Sequence, residues 1–140
     1  MESEELEILS FSIANQFFAI DVDNVIEIIK FPSIIQVDKN TESAEKRLQF
    51  KNEKIPIVDL AQKMELEYVK PDGKRESIIY SLKDNKLAFE VDTVEQYSDI
   101  NLGDITLMPE YLKNNMAAGF IWGIGKRDDT LIFLLDFEAL

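Results

Sequence analysis

The stretch FSIANQFFAIDVDNV, Phe11 to Val25, returns 69 positions later as YSLKDNKLAFEVDTV, Tyr80 to Val94. Five of the fifteen aligned positions are identical: Ser12/Ser81, Ala19/Ala88, Val22/Val91, Asp23/Asp92 and Val25/Val94. Others keep their chemical character, such as Asp21 and Glu90. Self-similarity at a fixed spacing indicates a structural unit that is used more than once. We therefore predict one β unit used twice, and a scaffold, because neither copy carries a reactive group that the other completes.

The two copies also close in the same way. Ile57-Val58-Asp59-Leu60 ends the first, and Leu134-Leu135-Asp136-Phe137 ends the second. In both, an apolar strand runs into an aspartate, which suits the N-cap of a helical turn. We predict one domain, 1–140, built from pseudo-repeats 8–66 and 76–140. Repeats of about 70 residues are thin alone, so we expect them to share a core.

The residue types that the chain lacks exclude several classes of chemistry. It has 140 residues, the length of one ordinary domain, with no cysteine and no histidine. Disulfides and thiolate metal sites are therefore excluded, as are mechanisms that need an imidazole base, ligand or phospho-acceptor. We predict a non-enzymatic protein without a cofactor or a metal.

The chain is acidic along its whole length. The net charge is −12, with 14 acidic and 8 basic residues in 1–70 and 13 and 7 in 71–140, which is −6 in each. Such a surface repels phosphate backbones and anionic membranes, so nucleic acid is not an expected partner. The N-terminus MESEELE is acidic where a secretory signal is basic, and the apolar runs are too short to span a bilayer. We expect a cytoplasmic protein that does not insert into membranes.

The local patterns favour many short strands and little helix. Alternating apolar residues predict two hairpins, with turns at residues 14–16 and 84–85, and an apolar exit strand at 25–31. Residues 36–47 are polar and are predicted to form a surface loop. Short helices are predicted at 61–66 and 110–114. Short strands at regular spacing are typical of barrels.

Two pairs of acidic residues raise the question of an active site. Asp21 and Asp23 flank a valine, as do Glu90 and Asp92. Positions i and i+2 of a strand share a face, so each pair of carboxylates could hold a metal or act in acid–base catalysis. Each aspartate also lies at a strand end, where turn formation explains it. We favour the structural interpretation, and keep as an alternative a small acidic enzyme whose paired carboxylates converge in a pocket.

The exit strand VIEIIKF, Val25 to Phe31, carries five large apolar side chains. A small barrel cannot easily hide all of them, so some are candidates for a partner surface. The other interpretation is that both faces are buried between two subdomains. Phe120 and Trp122 carry the same ambiguity, because tryptophan serves both at binding hot spots and in cores.

Several motifs, taken in order, resemble the CheW-like family, the adaptor proteins of bacterial chemotaxis. The family's opening hairpin and Val-x-Glu-Ile exit correspond to FFAIDVDNVIEII, with Val25, Glu27 and Ile28 in the motif positions. Its middle segment, ending in Pro-aliphatic-aliphatic-Asp-Leu, corresponds to LQFKNEKIPIVDL. FEVDTV, GFIWGIG and FLLDF match the remaining motifs, so that the resemblance spans nearly all of the chain.

The resemblance implies a fold and a function. The fold is mainly β, with two packed five-stranded SH3-like barrels and a few short helices. The function is to couple the cytoplasmic tip of a methyl-accepting chemoreceptor to the regulatory domain of the histidine kinase CheA, at membrane-associated receptor arrays. The receptor is expected in the groove between the barrels, and the kinase at a barrel end.

One departure from the family pattern concerns a turn. The family's Arg-Gly is Lys51-Asn52 here. Asparagine tolerates a left-handed turn, and lysine keeps the charge of arginine but not its planar fork. We expect Val25, Glu27, Ile29, Lys51 and Asn52 to face a partner. The change also supports an alternative, a divergent CheW-like module that serves another pathway, such as surface motility, or another kinase.

Overall fold

The computed structural model describes residues 4–37, 45–66, 75–109 and 118–137. Within these ranges the structure is mainly β, as predicted. The strands are β1 Glu5–Ile13, β2 Gln16–Asp21, β3 Val25–Ile29, β4 Ser33–Val37, β5 Glu45–Phe50, β6 Glu53–Val58, β7 Glu76–Leu82, β8 Asn85–Val91, β9 Thr93–Asn101, β10 Thr106–Leu107, β11 Ile121–Arg127 and β12 Thr130–Leu135. The α-helix α1 spans Leu60–Lys63, and short 3₁₀ turns lie at Val22–Asn24, Leu102–Asp104 and Ala118–Phe120.

Two-residue turns close the hairpins. Ala14 and Asn15 join β1 to β2 with φ of 53° and 64°, the left-handed values that a type I′ turn needs at both central positions. Asp128 and Asp129 join β11 to β12 with φ of 47° and 68°. The turn of the second hairpin begins at Lys83, so it lies one residue earlier than predicted.

The strands form two curled sheets of the same design. Sheet 1 has the order β10-β11-β12-β2-β1-β9, and sheet 2 has the order β4-β5-β6-β8-β7-β3. Strands that occupy the same place in the two sheets are six strands apart along the chain. For example, β1 in sheet 1 corresponds to β7 in sheet 2. Each sheet has six strands, one more than expected. The hairpin β1–β2 lies with β9–β12 and the hairpin β7–β8 lies with β3–β6, so both predicted repeats contribute to both sheets.

The register of the two sheets defines equivalent residues, which we call twins. Leu134 pairs with Ala19 across the parallel contact of β12 and β2, and Ile57 pairs with Ala88 across that of β6 and β8. Residues of β1, β2 and β3 are thus 69 positions before their twins in β7, β8 and β9. Residues of β5 and β6 are 77 positions before their twins in β11 and β12. By this spacing Asp59 and Asp136 are twins.

The largest buried cluster lies between the sheets. Its central ring, Phe11 on β1, lies with its centroid 6.0 Å from that of Phe18 on β2 and 5.3 Å from that of Phe89 on β8. Phe89 in turn lies 4.9 Å from Phe137, beyond β12. Smaller clusters belong mainly to one sheet each, namely Ile8, Ala19, Ile100, Ile132 and Leu134 in sheet 1 and Leu48, Ile55, Ile79 and Ala88 in sheet 2. The cluster between the sheets is therefore larger than the cluster that belongs to either sheet alone.

Some predicted boundaries change. The surface loop predicted at 36–47 is wrong at both ends, because Gln36 pairs with Lys46 and Val37 with Glu45 in the β4–β5 ladder. Polar composition misled here, since the end of an edge hairpin needs few apolar residues. Residues 38–44, and the helix predicted at 110–114, lie outside the described residues. The helix predicted at 61–66 is the shorter α1, where the Asp59 carboxylate accepts from the Gln62 backbone N–H at 3.0 Å, as an N-cap does.

Candidate functional site

Val25, Glu27 and Ile29 lie together on the edge strand of sheet 2. Opposite them on β7 are Tyr80, Ile79 and Ser77 respectively. Val25 and Ile29 are half-buried, whereas Glu27 is exposed. The free side of an edge strand offers unpaired backbone groups to another chain. The structure therefore brings three of the five predicted residues together on one edge strand.

The edge strand β3 contains a β-bulge at Ile26. The β3–β7 register shifts between Val25 and Glu27, which leaves Ile26 as the extra residue, 38% exposed. The twin strand β9 has the same shift, with Glu95 as its extra residue. Bulges bend an edge and limit uncontrolled pairing. The chain thus has two edges of the same shape, of which one presents isoleucine and the other glutamate.

Lys51 and Asn52 form the turn between β5 and β6, and both are exposed. Lys51 has φ of 54°, so the expectation that Asn52 would be the left-handed residue is wrong. The Lys51 ammonium lies 5.1 Å from the centroid of the Phe50 ring, a cation–π contact. The local conformation therefore aims the Lys51 side chain back over the end of β5.

We expect Lys51→Gly to raise the free energy of unfolding by about 0.5–1 kcal/mol. A left-handed L-residue costs about 1–2 kcal/mol, and losing an exposed cation–π contact offsets part of that gain. Asn52→Gly, which restores the family residue, should lower stability by up to about 1 kcal/mol, because it adds chain freedom and relieves no strain. Urea unfolding of both variants tests the pair. If Lys51→Gly lowered the free energy of unfolding and Asn52→Gly raised it, the strained residue would be Asn52.

The turn lies at the same end of the sheet as the link from β3 to β4. Ser33, the first residue of β4, pairs with Gln49, two residues before Lys51. The link carries Phe31, which is 87% exposed and is the most exposed large apolar side chain among the described residues. We call Ile26, Glu27, Phe31, Lys51 and Asn52 the edge surface. All five are exposed, and they combine apolar contact area with charges of both signs.

The sequence placed Phe31 among five apolar candidates of the exit strand but did not choose it, because its exposure depends on where β3 ends. The residue 69 positions later, Ile100, lies inside β9, is 8% exposed and packs over Gly125, where a Cβ would lie 2.4 Å from the Ile100 Cδ1 atom. The twin of Gly125 is Leu48, which is fully buried. Phe31 lies beyond the end of β3 at Ile29, and Leu48 occupies the place of Gly125 in the buried core of sheet 2.

A groove of about 520 Å³ opens between the two sheets. Its apolar walls include Leu6, Leu102 and Trp122 on the side of sheet 1, and Leu82 on the side of sheet 2. Its polar lining includes Asp21, Asn24, Lys83 and Asp136. The Asn24 side-chain amide donates to the Tyr80 hydroxyl at 3.2 Å, which ties the two sheets together at the groove. The volume lies in the range of clefts that bury a ligand or a side chain.

The paired carboxylates serve the backbone. Asp21 Oδ1 accepts from the Asp23 N–H at 2.9 Å and caps the 3₁₀ turn, while Asp92 Oδ2 accepts from the Ala14 N–H at 2.9 Å. Glu90 faces Arg75, with Oε1 and Nη1 3.7 Å apart. Among the described residues no three or more acidic, cysteine or histidine side chains are grouped to hold a metal. Asp21 and Asp92 therefore have the backbone role that the structural interpretation predicts.

The described helices include none that is both long and apolar enough to cross a bilayer.

Comparisons with known proteins agree on one family. Residues 7–140 match the family model of the CheW-like domain. The chain is 31% identical over 142 residues to the chemotaxis protein CheW of Thermotoga maritima, an alignment that covers 98% of this chain and 88% of that protein. It is 25% identical over 137 residues to the chemotaxis protein CheW of Helicobacter pylori, with 98% of this chain and 82% of that protein covered.

A solved structure shows the same fold. The crystal structure of the scaffolding protein TtCheW from Thermoanaerobacter tengcongensis matches with a TM-score of 0.81, covering 95% of this chain and 90% of that one at 24% identity. The predicted fold class, mainly β with two packed SH3-like subdomains, is confirmed.

Proposed function

The chain belongs to the CheW-like domain family, and on that premise we propose that it is a non-enzymatic scaffold of chemotaxis signalling. It binds the cytoplasmic tip of a methyl-accepting chemoreceptor and the regulatory domain of the histidine kinase CheA at the same time. Receptor conformation then biases kinase activity through a shared complex. The observation that supports this proposal is that one body with a continuous core has two separate candidate surfaces, the groove and the edge surface.

The two surfaces suit different partners. The groove is concave and lies between the sheets, which fits the convex side of a helical receptor tip. The edge surface is a strand edge with a protruding phenylalanine, which fits a β-rich partner such as the kinase regulatory domain. Glu27 and Lys51 add one charge of each sign, which favours a partner of complementary charge and penalises a reversed charge.

The chemistry of the chain supports a scaffold rather than an enzyme. It has no histidine or cysteine to act as base or nucleophile, and two of its suspected catalytic carboxylates cap turns. The relative of known structure is described as a scaffolding protein. The net charge of −12 suits a cytoplasmic protein that reaches the receptor array through its partners and not through lipid.

Glu27→Lys should weaken binding to the kinase regulatory domain at least about tenfold, because it reverses a charge at a docking edge. Binding to the receptor tip should change less than about twofold. Calorimetry with each purified partner measures both affinities. Glu95→Lys is the matched control, since it makes the same charge change on the twin edge and should leave kinase binding unaltered. Failure of the wild type to bind either partner, or to form a ternary complex in chromatography, would remove the proposal.

A second candidate is a CheW-like module that serves a different kinase or pathway, such as surface motility. The observation that favours it is the exposed Lys51-Asn52 turn, where the family pattern has Arg-Gly. Lysine cannot make the bidentate contact of arginine. Pull-down from the source cell separates the two candidates, because it names the kinase that co-purifies.

A further inference from the structure

A second cavity, of about 270 Å³, opens at one end of sheet 1, and we call it the mouth. The groove and the mouth lie at opposite ends of the buried cluster of sheet 1. On β12 Leu134 lines the groove and Ile132 lines the mouth, and on β2 Ala19 and Phe17 are divided in the same way. The mouth is therefore a site separate from the groove, and its lining, which belongs to sheet 1 and its turns, includes Ser10, Phe17, Gln96, Arg127, Asp128 and Ile132.

The same place in sheet 2 is occupied by larger apolar side chains. Ser10 and Arg127 of the mouth have Ile79 and Phe50 as their twins. Ile79 is fully buried, and Phe50 packs against the apolar cluster to which Ile79 belongs. Serine is much smaller than isoleucine, and the arginine brings a charged head where sheet 2 has a ring. The mouth is thus the part of the shared design that sheet 1 leaves open.

The mouth carries charges of both signs around an apolar floor. Arg127 is half-buried and donates from Nη2 to the neutral hydroxyl of Ser98. It takes part in none of the ion pairs found among the described residues. The carboxylates of Glu95 and Asp128 also line the mouth, and both residues are exposed. A half-buried guanidinium without a carboxylate against it attracts an anionic group, while the two carboxylates at the rim attract a cationic one.

We propose that the mouth binds a free aliphatic α-amino acid, for which leucine is the model. The ligand carboxylate pairs with Arg127, and its ammonium faces Asp128 and Glu95. Its side chain packs on Phe17 and Ile132. The cavity is smaller than the clefts of about 300–1,000 Å³ that hold drug-sized ligands, so it suits a small molecule. A ligand with only one of the two charges would meet a group of its own sign, which favours a zwitterion. This inference does not depend on the proposed function.

Leucine and three analogues test which groups of the ligand the mouth recognises. In ¹⁵N-correlated NMR titrations of the full chain, leucine should give saturable shifts at Ser10, Gln96, Thr130 and the Arg127 side chain. The analogue 4-methylpentanoate lacks the ammonium, 3-methylbutylamine lacks the carboxylate, and glycine lacks the aliphatic side chain. Each should bind at least about threefold more weakly than leucine. An analogue that binds as tightly as leucine, or leucine shifts that do not saturate, would overturn the proposal.

Neighbouring residues supply matched controls for the charges. Arg127→Gln should weaken leucine binding at least about fivefold, because glutamine can still donate to Ser98 but offers the ligand carboxylate no charge. Lys126→Gln, the same charge change at an exposed residue outside the mouth, should change binding less than about twofold. Asp128→Asn should weaken binding about threefold, with Asp129→Asn as its control, and asparagine tolerates the φ of 47° and 68° found there. Equal losses in the controls would assign binding to the general surface charge and contradict the site.

A variant at Ser10 tests the shape of the mouth. Ser10→Ile introduces the residue of the twin position, and its larger side chain should fill the floor and abolish leucine binding. Ser10→Ala keeps the space and should retain binding. Both variants lose the hydrogen bond from the Ser10 hydroxyl to the Gln96 carbonyl, 3.2 Å long, so loss of binding in both would contradict the role of the space. Circular dichroism verifies that both fold, and the Arg127 and Asp128 variants decide the matter if Ser10→Ile does not. If leucine fails to bind the wild type while Ser10→Ile weakens binding of the kinase regulatory domain, the mouth is a protein contact and the inference is wrong.

Discussion

Replacement of Phe11 by alanine is expected to lower the free energy of unfolding by about 3–5 kcal/mol, the range for deleting a buried aromatic ring. Phe11 is fully buried, and its ring contacts Phe18 within sheet 1 and Phe89 in sheet 2. The deletion therefore opens a cavity where the two sheets meet. Guanidinium unfolding followed by circular dichroism and by fluorescence of the single tryptophan, Trp122, measures the loss.

Phe31→Ala is the control for this prediction. It removes the same ring from a position that is 87% exposed, so stability should change by no more than about 0.5 kcal/mol. The two spectroscopic probes should report one transition for Phe11→Ala, because each sheet needs strands from both repeats. A loss below about 1.5 kcal/mol, or separate transitions for the two probes, would mean that the sheets are stable independently.

The local part of the fold follows from local patterns. Alternation and turn residues place both hairpins to within a residue, because each hairpin is formed by neighbours in sequence. The pairing of β1 with β9 joins residues more than 80 positions apart, as with Ser10 and Gln96. A strand pattern states which face is apolar but not which strand lies beside it. Local sequence patterns therefore do not predict that the hairpin of each repeat joins later strands of the other repeat.

The candidate site is likewise predicted only in part by local sequence patterns. The motif around Val25, Glu27 and Ile29 predicts an exit strand, and the structure makes it an edge. Phe31 lies beyond the end of that strand, and its exposure follows from where the strand ends, which the apolar run VIEIIKF does not show. The groove is lined by side chains from both sheets, such as Trp122 of sheet 1 and Leu82 of sheet 2, which are 40 positions apart in the sequence. No local pattern predicts that these side chains meet.

The second large effect is expected at Arg75. Arg75→Leu should lower the free energy of unfolding by about 2–3 kcal/mol, somewhat less than the loss of one partner from a fully buried ion pair. The reason is that Glu90, 14% exposed, would keep its charge in a desolvated place with no arginine beside it, close to Asp92 and Asp59. Urea unfolding at low salt measures the loss.

A second substitution, at Glu90, tests whether charge causes the loss of stability in Arg75→Leu. If it is, Glu90→Gln in the Arg75→Leu background should recover part of the loss, because it removes the uncompensated charge, and the double-mutant cycle should show coupling of about 1 kcal/mol or more. Arg75→Lys should lose less than Arg75→Leu, since it keeps the charge but not the planar fork. Additive losses for the single variants would instead assign the effect of Arg75 to the packing of its aliphatic stem.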